Sequence, residues 1–163
     1  MPAPHNTARP LAPDVIHVFT DGACAGNPGP AACAAVLWYN GHIKEIARPL
    51  GQATNNIAEL SAIREALQRI KRRSIPVKIY TDSAYAYGVL NNPSWKPREN
   101  LALIAQIKRL LQQFASVEFV KVPAHAQVPY NLRADQLARS ALNQQLHPTP
   151  PHSVTRRPHS LLH

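Results

Sequence analysis

Nine carboxylates stand among 163 residues, against eighteen Lys and Arg. Four of them have settings that call for an explanation in chemical terms. Asp21 ends the run VIHVFTD and opens the glycine-rich stretch GACAGNPGP, Asp82 ends VKIYTD, Glu59 lies in NNIAEL, and Asp135 lies in NLRADQLA. If the fold brings them into one pocket, desolvation and mutual repulsion drive their pKa values upward, and no nearby cation is evident from the sequence to neutralise them. Divalent ions remove that penalty, and hard carboxylate oxygens with water suit Mg²⁺ or Mn²⁺. Two such ions about 4 Å apart can bind the attacking water and the leaving oxygen of a phosphodiester.

Three of the four also have a plainer reading. Asp21-Gly22 fits a turn closing a hairpin into Ala32–Tyr39. Glu59 sits near a helix start, where the dipole favours an acid, and Asp82 fits a cap for the helix that follows it. The repetition of Phe-Thr-Asp-Gly as Tyr-Thr-Asp-Ser, at two strand ends of an acid-poor chain, favours a shared site.

The elements that must position these residues follow from periodicity. Val15–Asp21 is a strand of β-branched and aromatic residues. Ala31–Tyr39 is a second, Asn40-Gly41 a hairpin turn that needs positive φ, and His42–Arg48 a third strand antiparallel to the second. Ile57, Leu60, Ile63, Leu67 and Ile70 then mark a helix with one buried stripe, capped by Asn55 or Asn56 and closed by Lys71, Arg72 and Arg73. A strand at Val77–Thr81, a short helix at Ser83–Leu90, and a loop carrying Trp95 come next. Leu101–Leu111 is an amphipathic helix with Leu101, Ile104, Ile107, Leu110 and Leu111 inward. Val117–Val122 is the fifth strand, Pro123–Tyr130 a loop containing His125, and Leu132, Leu137, Ala141 and Leu142 carry a last helix. The order β-β-β-α-β-α-α-β-α implies an α/β fold, a mixed five-stranded sheet flanked by helices.

Residues 14–146 form one expected domain, after a disordered leader (1–13) and before a flexible Pro-, His- and Arg-containing tail (147–163). The formal charge of +9 and a pI near 10.1 favour a polyanionic partner, although solubility or a membrane surface also fits. No apolar run approaches the roughly 18 residues of a membrane span. Cys24 and Cys33 lack metal-ligand or disulfide-framework spacing, so free thiols and a cytoplasmic setting are expected.

FTDGACAGNPGP, TNNIAEL, YTDSAY and NLRADQLA together resemble, in order, the signature segments of the type 1 ribonuclease H family, including the RNase H domains of retroviral reverse transcriptases. The resemblance spans roughly Val15 to Leu142. It implies an RNase H fold and an endonuclease that hydrolyses the RNA strand of RNA–DNA hybrids, leaving 5′-phosphate and 3′-hydroxyl ends. It implies Mg²⁺, with Mn²⁺ as a substitute, held by Asp21, Glu59, Asp82 and Asp135, and it makes His125 the loop histidine that assists catalysis or product release. Asn27, Thr54, Asn55 and Asn56 match polar positions that contact the hybrid, where 2′-hydroxyls in a shallow minor groove distinguish RNA from DNA; caps and turns explain the same residues. The expected partner is the hybrid, with no membrane, and the chain is expected to act as a monomer.

The chain departs from the family pattern in places. The segment after Asp82 is too short for the long basic handle of some members, and Trp95 with Lys96 and Arg98 reads either as a reduced substitute or as a tryptophan packed at the core edge. The loop PAHAQVPYN lacks the glycines usual around its histidine. Two other readings share this fold: a catalytically silent hybrid-binding module, which all four acids argue against, and a broader nuclease. Ala23 argues against a proofreading exonuclease, which usually carries Glu at that position.

Overall fold

The sheet begins with β1 (Ile16–Cys24), β2 (Gly29–Tyr39) and β3 (His42–Ala53), which fold back on one another as a meander. In the computed structural model, residues 10–124 and 128–148 are described. Asn40 and Gly41 turn the β2–β3 hairpin with φ of 47° and 86°, the positive pair that a two-residue turn of this hand requires. Then come α1 (Asn55–Arg69), β4 (Val77–Thr81), α2 (Ala84–Asn91), α3 (Leu101–Leu111), β5 (Val117–Lys121) and α4 (Pro129–Leu146). The strands lie in the order β3-β2-β1-β4-β5. Pairing is antiparallel from β3 to β1 and parallel from β1 to β5, so the expected mixed α/β sheet is present.

Strand alternation divides the core between two faces. Val18, Ala35, Leu37 and Ile79 meet Leu60, Ile63 and Leu67 of α1, with Val89 of α2 and Ile104 and Ile107 of α3 behind them. Phe19 and Val36 point the other way, onto Ala134 of α4, with Tyr80 and Tyr130 alongside. The Phe19 and Tyr80 rings stack with centroids 4.6 Å apart. Glu65 is buried on α1 and is paired with Arg48 of β3 at 2.8 Å and with Arg64 at 3.5 Å. A buried carboxylate tolerates that position only because cations meet it.

Several boundaries differ from expectation. β1 runs on to Cys24 because Ala23 and Cys24 pair with Ala32 and Ala31, so Asp21 lies within a strand and not at a turn. β3 extends past Arg48 to Ala53; as an edge strand it accommodates Pro49, next to a register shift at Ala31/Ala32. Thr54, not Asn55 or Asn56, caps α1, its hydroxyl accepting from the Ile57 N–H at 3.2 Å. α1 ends at Arg69, before the Lys71–Arg73 run. Leu101 and Leu132 are exposed, and α4 is seated by Ala134, Ala138 and Ala141, whose small side chains let the helix lie close on the sheet. Both cysteines are free.

Order begins ahead of β1. Leu11 packs on the α4-side cluster, and the buried His17 bridges two partners. Its Nε2 donates to the Ala12 carbonyl at 3.0 Å, which can only accept, so Nδ1 accepts from the Tyr80 hydroxyl at 2.8 Å. Burial lowers the His17 pKa and keeps the ring neutral for this bridge. The rest of the expected leader (1–9) and the tail from residue 149 lie outside the described residues. Among the described residues no helix is long and apolar enough to cross a membrane.

Candidate active site

Parallel pairing sets Phe19 of β1 beside Tyr80 of β4. Two residues on, the same register brings Asp21 level with Asp82, and by strand parity both leave the sheet on the side of Phe19 and Tyr80. The Thr20 hydroxyl donates to the Tyr80 carbonyl at 3.2 Å, tying β1 to the end of β4 next to the acids. Asp82 is not the cap of α2: Ser83 performs that task, its hydroxyl accepting from the Ala86 N–H at 3.0 Å. Asp82 therefore has no capping role to explain its position.

Glu59 arrives from the opposite face. It is the fifth residue of α1 and stands beyond the first turn, where no acid is found, so dipole complementation does not account for it. Gly22 is what lets it approach. A Cβ there would lie 2.8 Å from the Ala58 carbonyl carbon, the Ala58 Cβ and the Glu59 backbone nitrogen. With no side chain at Gly22, α1 rests directly on β1, and the Glu59 carboxylate closes over the strand end.

One ligand atom from each of Asp21, Glu59 and Asp82 lies within 4.8 Å of the others. They line a cleft of about 320 Å³ with Thr20, Val122, Asn131, Asp135 and Arg139. The electrostatics match a carboxylate cluster with too little positive charge. Burial, then the hydrogen bond with Asp135, then the charges of Asp82 and Asp135 push the Asp21 pKa up to about 7, against the lowering effect of the Gly22 N–H, which Asp21 Oδ1 accepts at 2.9 Å. Burial foremost, with the charges of Asp21 and Asp82, raises Glu59 well above the usual carboxylate range. Glu59 Oε2 is buried with no hydrogen-bond partner among the described residues. A buried carboxyl oxygen with no protein partner, in a cleft of carboxylates, fits a divalent cation, and hard oxygen donors suit Mg²⁺-like ions.

Asp135 enters the same cleft from α4 but stands outside the close triad. Its carboxylate accepts from Arg139 at 3.1 Å and 2.9 Å, a two-point pair one helical turn apart. Asn131, one turn before Asp135, has its buried Nδ2 unpartnered among the described residues. Sequence reasoning passed over Asn131 and Arg139, although i−4 and i+4 spacing around Asp135 places all three on one helix face.

The other expected site residues lie elsewhere. Asn27 Oδ1 accepts from the Asn55 N–H at 3.0 Å, and Thr54 caps α1, so both organise the start of that helix. Asn55 is exposed and Asn56 half-buried at the same place, outside the carboxylate cleft. Trp95 lies across α2, where a Cβ on Gly88 would fall 2.5 Å from its ring, and it meets the Tyr85 ring edge-on at 6.1 Å. It lines a separate shallow groove with Lys96 and Arg98. His125 lies outside the described residues.

Comparison with known proteins places this geometry in context. The sequence profile of the RNase H family matches residues 13–143. A ribonuclease H of Chlorobium phaeovibrioides is 38% identical over 142 residues, covering 79% of this chain and 96% of the relative. One from Clostridium botulinum is 37% identical over 143 residues, covering 78% and 95%. The crystal structure of RNase H1 from the halophilic archaeon Halobacterium salinarum superposes with a TM-score of 0.71 at 32% identity, covering 80% of this chain and 98% of that one. LC11-RNase H1, solved in complex with an RNA/DNA hybrid, superposes with a TM-score of 0.70 at 27% identity, covering 80% and 99%.

Proposed function

The chain belongs to the RNase H family, and we propose on that premise that its cleft hydrolyses the RNA strand of an RNA–DNA hybrid by a two-metal-ion mechanism, leaving 5′-phosphate and 3′-hydroxyl ends. The observation that carries the reading is the Asp21–Glu59–Asp82 cluster with its bare, buried Glu59 oxygen. Asp21, Glu59, Asp82 and Asp135 are the residues that would hold the cations, Mg²⁺ in the first place and Mn²⁺ as a substitute. When bound, the ions supply a water activated at neutral pH and positive charge at the leaving oxygen.

The protein's own part is positioning. Asp21, within β1, and Asp82, just past the end of β4, lie close enough together to face one scissile phosphate. Arg139 grips both oxygens of Asp135 and so sets the direction of its carboxylate. The Asn131 amide, unpartnered among the described residues, is a donor available to a phosphate oxygen at the cleft wall. His125, which precedes α4 in the sequence, takes the role of assisting catalysis or product release on the family likeness alone.

Asn27, Thr54, Asn55 and Asn56 gather where α1 begins, at the positive end of its dipole, which favours a phosphate. The structural hydrogen bonds leave functional groups to spare. Asn27 uses its oxygen on Asn55 and retains its amide N–H₂, and Thr54 uses an oxygen lone pair and retains its O–H. These groups contact the hybrid backbone and 2′-hydroxyls in this reading, with Trp95, Lys96 and Arg98 further along.

The test is cleavage of an end-labelled RNA–DNA hybrid with Mg²⁺, Mn²⁺ or EDTA, with RNA–RNA, DNA–DNA and single-stranded RNA alongside. Metal-dependent internal cuts in the hybrid's RNA strand alone are expected. A hybrid bound but left whole under both metals would reduce the protein to a binding module, and cutting of DNA would make it a broader nuclease.

A further inference from the structure

His17 is 2% exposed and stands on the strand that carries Asp21. By strand parity it shares the face of Phe19, which α4 covers. Space alone does not call for a histidine there, since an apolar ring would fill the place with no polar group to satisfy. Both ring nitrogens are used, Nε2 on the Ala12 carbonyl and Nδ1 on the Tyr80 hydroxyl. Ala12 belongs to the segment ahead of β1, which is held at two more points. Leu11 packs on the Phe19–Val36–Ala134 cluster, and Asp14 exchanges hydrogen bonds with Asn40, its N–H donating to Oδ1 at 2.8 Å and its carboxylate accepting from Nδ2 at 3.1 Å. The Asp14–Asn40 pair is exposed and therefore a weak tether, which leaves the His17 bond as the buried one.

From His17 a column of rings runs to the start of α4. His17 stacks with Tyr80 at 5.9 Å between centroids, Tyr80 with Phe19 at 4.6 Å, and Phe19 meets Tyr130 at 5.3 Å. Tyr130 lies in the first turn of α4, next to Asn131 and one turn and a half before Asp135. That helix start has no side-chain cap: Val128 occupies the position and offers no hydrogen bond from its side chain. An uncapped end frays unless packing holds it, and Val128 and Tyr130 pack on the same cluster as Leu11.

We propose that His17 is a positioning residue: by bonding the segment ahead of β1 to Tyr80, it locks the ring column against Tyr130 and so fixes the start of α4, and with it Asn131 and Asp135 at the cleft. Close-packed rings transmit a displacement because they have no slack to absorb it. Without the imidazole, the Tyr80 hydroxyl loses its partner and the segment ahead of β1 loses its buried tether, so the column is free to shift at the end farthest from the acids. The effect on turnover rests on the nuclease reading; the coupling of His17 to the start of α4 does not.

The experiment compares the full chain with His17→Phe, Tyr80→Phe and the double variant, by amide hydrogen exchange without metal and by hybrid-cleavage kinetics in Mg²⁺. His17→Phe keeps a ring in the column and removes both hydrogen bonds, while Tyr80→Phe keeps the stack and removes only the hydroxyl; thermal melting confirms that each remains folded. Exchange at residues 129–135 should speed up ~10-fold or more in His17→Phe, with α1 and α3 exchanging as in wild type. Turnover should follow, kcat falling ~5-fold or more with KM for the hybrid changed less than ~2-fold. Tyr80→Phe should act in the same direction, and the double variant should be no worse than His17→Phe, because the two residues work through one bridge. Unchanged exchange at residues 129–135, or faster exchange spread evenly over all helices, would overturn the proposal. Faster exchange there with unchanged kcat would overturn the role in the reaction. If the wild-type chain cleaves no hybrid, the nuclease reading fails, and the exchange result alone decides the coupling.

Discussion

Replacing Asp82 by Asn removes one carboxylate charge at constant volume from a cluster that has too much negative charge. The fold should keep its melting temperature in EDTA or gain slightly, since a repulsive charge is lost. Activity should fall by more than ~100-fold, because loss of an outer partner to a metal ligand already costs 10–100-fold. Hybrid-cleavage kinetics and thermal melting of Asp82→Asn read both effects, and near-normal turnover by a folded variant would refute the assigned site. The raised pKa of Asp21 makes a second prediction with a definite sign. Between its ordinary value of 3.8 and about 7, the folded protein holds a proton that the unfolded chain has released. Stability of the metal-free protein should therefore be greatest at the acid end of that window and decline as pH rises through it. Added Mg²⁺ should reverse the decline near and above pH 7, where the carboxylate is free to bind, and change little near pH 5. Melting curves with EDTA and with Mg²⁺, taken across that range, check it, and activity should rise over the same interval.

The elements position these residues through two small devices. Gly22 permits α1 to rest on β1, and three atoms of Ala58 and Glu59, two of them backbone, leave no room for a methyl group. Gly22→Ala must push α1 outward. We expect a loss of about 1–3 kcal/mol in urea unfolding, as for other overpacked sites, together with a fall in turnover, because Glu59 moves with its helix. Thr54→Ala deletes the cap of the same helix and should cost about 1 kcal/mol. If Thr54 also meets the hybrid, that variant raises KM beyond what its stability loss explains, whereas Thr54→Ser restores both. The element boundaries that sequence reading misplaced share one cause. β1 and β3 extend because neighbouring strands offer hydrogen-bond partners, which local turn residues such as Gly22 and Pro49 do not reveal. α4 is seated by alanines because the distance between helix and sheet, and not hydrophobicity, decides which residue fits.

At the scale of the molecule, a charge of +9 surrounds an acidic cleft. Net positive charge favours a polyanion, and in the proposed reading the acidic cleft takes its scissile phosphate only with cations bound. Association with the hybrid should then be strongly salt-dependent, with affinity falling ~10-fold or more between 50 and 200 mM salt if only three phosphates are neutralised. Filter binding by the Asp82→Asn protein in Ca²⁺ or EDTA measures this without cleavage, and a flat salt profile would argue against a backbone-tracking surface.

Read by itself, the sequence determined the order of the elements, the α/β class and the Thr-Asp end of β4, because hydrophobic periodicity and β-branching are local properties; it put Asp21 at a strand end, whereas β1 runs on to Cys24. It also presented the four separated segments that resemble the RNase H family. Only the tertiary structure decided that Asp21 and Asp82 stand level across a parallel pair, that Glu59 closes over them through Gly22, and that Asp135 joins the cleft with both its oxygens paired to Arg139. Those relations join residues between 4 and 61 positions apart, and none follows from local pattern except the helical step from Asp135 to Arg139.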